Sequence, residues 1–368
     1  MKSVARALAL GLLLFACACS QPSAPLAPAA KPPAPAKPPA LPAAPNPPAP
    51  AAAPGLAAQD INSAAFAAPA AASPVTKPKV TSPATPDPVL IRAEVLLDRA
   101  GFSPGVIDGR PGSNLRKALA AFQQSVGGEG DGTLDQPTWN ALTQNTAPVV
   151  QTYVITAADV AGPFAPNVGE DFLKLAALPQ GPQYSSPLEA LAARFHMSQT
   201  LLQALNPVAD FNKAGTSLLV AAPGAPAFTK GQVAKVVVSR SKNQVFAYDH
   251  DGKLLAVYPA TVGSTERPSP SGLHKIKGVG WNPAYVYDPA KLHWGPRSHG
   301  KFTIKPGPKG PVGVVWIDLN APSYGIHGSP DPNLIGKTAS HGCVRLTNWD
   351  ALALAHGVKP GVPVAFVG

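Results

Sequence analysis

Beyond residue 19 the chain carries one cysteine, Cys343, within Ser340-His341-Gly342-Cys343-Val344-Arg345-Leu346. A short way upstream runs Tyr324-Gly325-Ile326-His327-Gly328-Ser329. These residue types can do thiol chemistry. A free thiol, with a pKa of ~8.5, is barely ionised at neutral pH. A histidine set against the sulfur can take its proton and leave a thiolate–imidazolium pair. Two histidines qualify. His341 is two residues from Cys343 and would share a strand face with it, whereas His327 must be carried in by the fold. Gly342 allows backbone to approach a reacting carbonyl, and the amides of Gly342 and Cys343 are candidate oxyanion donors. Two other readings compete. A lone cysteine can be a small buried hydrophobe, and His327, His341 and Cys343 are chemically able to bind zinc. No His-Glu-x-x-His is present and no further Cys/His pair has ligand spacing, so neither a metal nor any other cofactor is expected.

The set resembles the active-site signature of the YkuD-type (ErfK/YbiS-like) L,D-transpeptidases, a histidine followed by Ser/Thr-His-Gly-Cys. Thr261-Val262-Gly263, Ser269-Pro270-Ser271-Gly272 and Pro306-Gly307-Pro308 through Gly313 extend the resemblance over residues 233–367. It implies a mostly-β, β-sandwich-like catalytic domain with Cys343 as nucleophile and His327 as proton acceptor and donor. His341 and Gly342 support them. Arg345, Ser340, Gly328 and Tyr324 are the residues it implies at the substrate. Arg345 fits the branch of the family that reads Cys-h-Arg-Leu, where a forked guanidinium suits a carboxylate; a salt bridge that braces the loop is the other reading. Ser269 stands where threonine is usual and Gly310 where asparagine is common, which bears on loop shape rather than chemistry. The implied reaction is acyl transfer on peptidoglycan stem peptides through a cysteine thioester, forming cross-links or protein attachments. Water as acceptor would make the protein an L,D-carboxypeptidase, and an inert last domain would make it a wall-binding protein.

The elements that must position these residues can be read in outline. From Val233 the period is that of strands: Val236 to Val238, then Gln244 to Tyr248 and Leu254 to Tyr258 around the hairpin signal Asp251-Gly252. Val312 to Asp318 is another apolar segment, and Trp349 to His356 reads as a helix. Residues 150–224 are least readable. Ser186-Pro187-Leu188-Glu189 starts a helix with a capping box, a second short helix stops at Asn206-Pro207, and Leu218 to Val220 closes as a strand. This short α+β order resembles a degenerate LysM repeat; a structural prelude to the last domain is the alternative. Residues 89–146 read as three helices separated by Asp108-Gly109 and Asp131-Gly132. With Gly101-Phe102, Ala121-Phe122-Gln123 and Trp139 at their positions, that unit resembles the type 1 peptidoglycan-binding domain.

Twenty of the 46 prolines lie between Pro22 and Pro88, so residues 20–88 are expected to be a disordered Pro/Ala-rich tether that builds no core. Before it, Lys2 and Arg6 precede the apolar run Ala7 to Ala16, a secretory signal over residues 1–19 that is too short to span a bilayer. Cys17 or Cys19 at its end would be lipidated if it is a lipoprotein signal. An exported, periplasmic or envelope protein follows, membrane-anchored through that lipid. The net charge of +10 alone does not choose between nucleic acid, membrane and an anionic polymer; peptidoglycan is the partner the resemblances imply, and nucleic acid is not expected. Anchor, wall binder and enzyme would then lie in series.

Overall fold

The computed structural model describes residues 56–67, 85–224, 227–290, 300–340 and 342–368. The signal-like segment, Cys17, Cys19 and His341 lie outside the described residues.

Helix starts follow the side chains available to bind free amides. Helix α1 spans Ala58–Asn62. Helix α2 (Pro88–Arg99) follows Asp87, whose carboxylate accepts from the Val89 amide at 2.8 Å. Helix α3 is Ser113–Ser125, and α4 (Gln136–Leu142) follows Asp135, which accepts from the Thr138 amide at 2.8 Å. Then come β1 (Val150–Val154), α5 (Ala157–Ala161), α6 (Phe172–Ala177), α7 (Pro187–Arg194), α8 (Gln199–Leu205) and β2 (Ser217–Ala221). The expected helix–helix–strand order is there, and β1, which the alternation did not reveal, pairs antiparallel with β2. Ser186 caps α7 as read, but Glu189 accepts from the Ser185 amide at 2.7 Å instead of closing a box on Ser186.

The C-terminal region contains β3 (Lys235–Ser239), β4 (Gln244–Tyr248), β5 (Leu254–Pro259), β6 (Gly272–Trp281), β7 (Tyr285–Tyr287), β8 (Phe302–Ile304), β9 (Val315–Leu319), β10 (Gly325–His327), β11 (Val344–Arg345), α9 (Asn348–Gly357) and β12 (Pro363–Val367). Eight strands form one sheet in the order β11-β10-β9-β6-β12-β3-β4-β5, while β7 and β8 pair separately. Strand β6 belongs to both halves and is irregular between Ile276 and Gly278. Val236 and Val245 from one half, Ile317, Ile326 and Val344 from the other, and Leu354 of α9 share one buried cluster. The mostly-β expectation therefore holds, with one curled eight-stranded sheet where a sandwich-like arrangement was expected. Among the described residues, no helix is long and apolar enough to cross a membrane.

Two expectations change. Residues 56–67 do not behave as tether. Ile61 of α1 is fully buried in the helical core, and the Asn62 side chain accepts from the Val149 and Val150 amides at 2.7 and 3.0 Å. Arg92 adds a bond to Ala64 O at 2.6 Å, and Leu56 and Ala58 pack against the same core, so the segment is seated despite its alanine-rich surroundings. Nor are the regions strung in series. One hydrophobic cluster runs from Ile91, Leu119 and Phe122 to Leu191, Leu202 and Val220 and takes in Val257 of β5. Backbone joins them too: Ser103 N–H donates to Val257 O at 2.9 Å, and Val257 N–H to Gly101 O at 2.8 Å. Asn114 donates to Ile335 O at 2.8 Å. Ser103 Oγ, buried, donates to Asp350 at 3.0 Å in a node shared with His196, whose Nδ1 lies 3.2 Å from Asp98.

Candidate active site

Strands β10 and β11 run parallel, with Ile326 opposite Val344 and His327 opposite Arg345. Cys343 immediately precedes β11, so the histidine and the cysteine reach adjoining strands through hydrogen-bonded backbone rather than through mobile loops. On the other side His327 pairs with Trp316 of β9, and the two rings stack with centroids 5.3 Å apart. Gly325 makes that stacking possible, because a Cβ there would lie 2.5 Å from Trp316 Cζ2.

His327 is 3% exposed, and its Nδ1 lies 2.7 Å from the Gly328 carbonyl oxygen. A carbonyl only accepts, so Nδ1 carries the hydrogen and Nε2 is left as the basic nitrogen. Burial pushes the imidazole pKa down to about 3, the Arg345 charge adds to this, and the Gly328 bond opposes it. The Cys343 thiol is raised above its ordinary value by burial, against the Gly325 amide and Arg345. Its Sγ donates to Ser323 O at 3.6 Å. Burial thus favours the neutral form of both groups, because taking them out of water penalises both charges.

The cysteine loop is braced from within. Ser340, buried, donates through Oγ to Cys343 O at 2.5 Å and accepts from the Gly342 amide at 3.1 Å. Gly342 has φ +118, and a Cβ there would lie 2.8 Å from the Tyr324 ring. Ser269 Oγ donates to Gly342 O at 2.7 Å and accepts from the Gly263 amide at 2.8 Å, tying the two glycine loops together. These contacts give three of the expected residues definite partners. The Gly342 amide donates to Ser340 Oγ. Ser340 braces its own loop through that bond and its bond to Cys343 O. Gly328 packs against Asn348 and orients His327 through its carbonyl.

Arg345 and half-buried Tyr324 stay at the site's edge. Arg345 exchanges backbone bonds with Thr261 at 2.9 Å, and among the described residues no carboxylate lies within salt-bridge distance of its guanidinium. The residue reading missed Tyr285 on β7. Its phenol is pushed well above the usual value by burial, Cys343 and Tyr287 adding and Arg345 opposing. The alternation of Tyr285-Val286-Tyr287 was the one available signal. Among the described residues, no group of histidine, cysteine and acidic side chains could hold a metal ion.

The L,D-transpeptidase catalytic domain of the YkuD type matches residues 234–365, and a peptidoglycan binding domain matches residues 88–142. A Bacillus licheniformis protein bearing the name L,D-transpeptidase YkuD is 30% identical over 183 residues, 48% of this chain and 92% of that one. An Escherichia coli K12 protein bearing the name L,D-transpeptidase YbiS is 28% identical over 200 residues, 52% of this chain and 62% of that one. L,D-transpeptidase 3 from Mycobacterium tuberculosis, solved with a faropenem-derived adduct, aligns at 18% identity over 42% of this chain and 75% of that one, with a TM-score of 0.32.

Proposed function

The chain belongs to the YkuD family of L,D-transpeptidases, and from that premise we propose that it acts on peptidoglycan stem peptides through a thioester on Cys343. As the sulfur attacks the carbonyl of the third, L-centred stem residue, its proton passes to Nε2 of His327. The carbon–nitrogen bond to the terminal D-alanine then breaks, and the leaving amine takes that proton. An amine of a second stem attacks the thioester, loses a proton through His327, and forms the cross-linking amide while the thiol is restored. The Cys343 amide is one donor to the developing oxyanion. Arg345 is assigned to a substrate carboxylate and Tyr324 to the cleft wall; His341 keeps a supporting role.

The observation that carries this reading is the fixed imidazole. With Nδ1 held by Gly328, Nε2 is the only nitrogen able to accept a proton. Purified muropeptides incubated with the full mature chain test it by mass spectrometry. A cross-linked dimer with release of D-alanine, and neither with Cys343→Ala, is the expected result. Release of D-alanine without dimer would assign the carboxypeptidase instead.

Export and anchoring complete the proposal. Cys17 or Cys19 carries lipid, so the mature protein partitions with membranes and a double Cys17→Ser, Cys19→Ser change releases it. A soluble mature protein beginning downstream of Cys19 would refute the anchor.

A further inference from the structure

Strand β9 alternates. Val315, Ile317 and Leu319 enter the buried cluster, which leaves half-buried Trp316 and Asp318 on the opposite face of the sheet. Strand β10 follows the same pattern, with Ile326 in the cluster and Gly325 and His327 on that opposite face. Cross-strand register then sets Arg345, His327, Trp316 and Gly280 side by side over four strands. The indole of Trp316 leans towards one end of this row. Towards β10 it lies over Gly325, whose missing Cβ leaves the room, and it stacks on the imidazole with centroids 5.3 Å and planes 20° apart. Towards β6 the strip is bare. A Cβ on Gly280 would meet only the Trp316 carbonyl oxygen, at 3.9 Å, and one on Gly278 would meet no atom within 4 Å. Filling the core is therefore not what this indole does.

Its orientation is set from its own strand. Trp316 Nε1 donates to Asp318 Oδ1 at 3.3 Å, and Asp318 Oδ2 pairs with Lys277 Nζ at 3.0 Å. The chemistry of His327 gives the stack a use. A proton accepted at Nε2 makes the ring a cation while it is buried and has Arg345 opposite it on β11. Gly328 answers that charge at Nδ1 through its carbonyl. Among the described residues, no carboxylate lies within salt-bridge distance of the imidazole. The face of an indole attracts a cation held within ~6 Å of the ring centroid, and offset stacking is a preferred geometry for two rings.

We propose that Trp316 is a positioning residue for the transfer reaction: oriented by Asp318, its indole holds the His327 ring in place and favours the imidazolium that forms as Cys343 attacks. It acts through His327. This rests on the transpeptidase reading above.

The test uses the full mature chain with three readouts: steady-state kinetics on soluble muropeptides, thermal denaturation, and the ring-nitrogen NMR signals of His327 without substrate, assigned by their loss in His327→Asn. The wild type should show one tautomer, with hydrogen on Nδ1. Trp316→Leu keeps an apolar side chain but no π face. It is expected to lower kcat by about tenfold or more, with KM changed less, because the proton-transfer group loses its place. Its His327 signals should move towards a mixture of tautomers. Trp316→Phe restores a face without the indole N–H and should recover most of kcat. Space-filling alone would give Trp316→Leu and Trp316→Phe the same kcat and leave the His327 signals as in the wild type, which overturns the proposal. Should Trp316→Leu not fold, Asp318→Ala frees the indole from outside the core. A smaller fall in kcat with shifted His327 signals supports the proposal, and the absence of both overturns it. If the wild type neither transfers an acyl group nor releases D-alanine while the His327 signals still respond to Trp316, the transpeptidase reading fails and the positioning stands.

Discussion

His327 spends its Nδ1 hydrogen on the carbonyl oxygen of Gly328, its own chain neighbour, at 2.7 Å. The bond fixes both the tautomer and the ring plane, and Trp316 stacked at 5.3 Å limits rotation. His327→Asn should separate orientation from proton transfer, since an asparagine amide can keep the bond to Gly328 but offers no base. Turnover is expected to fall by about 10²–10⁴-fold, the usual share of general acid–base catalysis, with little change in melting temperature. Turnover within a few-fold of wild type would remove His327 from the chemistry.

Acidity at the site has a definite sign. The folded imidazole, with a pKa of about 3, stays neutral where an unfolded histidine is protonated below ~6.5. Its contribution to stability is therefore intact above that value and is lost as the pH falls towards 3. The thiol is shifted up, so little thiolate exists at neutral pH. Alkylation of Cys343 by iodoacetamide should be slower at pH 6 than that of an exposed cysteine and should climb only above the ordinary thiol range. A rate already at its plateau at pH 6 would instead mean a preformed ion pair.

Truncating Ile61 tests the short helix in the proline-rich segment. A fully buried Ile→Ala change typically costs about 2–5 kcal/mol, and Ile61 is fully buried. Denaturant titration of Ile61→Ala should show a loss of that order; a true tether would show none.

What the residues disclosed and what they hid divide along physical lines. Caps, glycine turns and strand alternation act locally, so α4, α7, the β4–β5 hairpin and α9 were legible from side-chain types alone. That Cys343 and His327 come to adjoining strands was legible because one motif carries both residues. Helix α1 was hidden by composition: its stability comes from Ile61 entering a core built by distant residues, and alanine and proline around it carry no period. Strand β7 was hidden because three residues paired only with β8 leave little alternation to read. The use of the Gly342 amide was hidden too, since Ser340 Oγ could as well have pointed outward.

The node between the helical region and α9 gives a pH test away from the site. Burial, with Asp98 adding, raises the Asp350 carboxyl to about 7, opposed by Thr347, His196 and Ser103. Tyr258, fully buried, feels the same two carboxylates. A folded carboxyl raised above its unfolded value gives stability that is complete below ~3.9 and lost as the pH passes through about 7. Asp350→Asn mimics the protonated form and still accepts from Ser103. Its melting temperature should depend less on pH between 5 and 8 than that of the wild type, and an unchanged slope would show that Asp350 does not titrate there.

The same junction decides how far the regions can be separated. Independent modules would let residues 1–146 be removed with no effect on small soluble muropeptides, since the thiol and imidazole lie far along the chain. The contacts argue otherwise. Removal strips Gly101 and Ser103 from the edge of β5 and exposes its unpaired backbone. It also removes Asn114 from Ile335, beside Gly336, whose amide donates to Thr261 Oγ1 at 3.0 Å, and Thr261 in turn pairs with Arg345. The site would thus lose support at Ile335, whose chain neighbour Gly336 donates to Thr261, the backbone partner of Arg345. The truncated protein is expected to turn over soluble muropeptides at least about tenfold more slowly, the scale of a displaced reacting group, and to associate through the bared edge. Monodisperse truncated protein with wild-type turnover would show that the welded arrangement is dispensable and that the helical region serves wall binding alone.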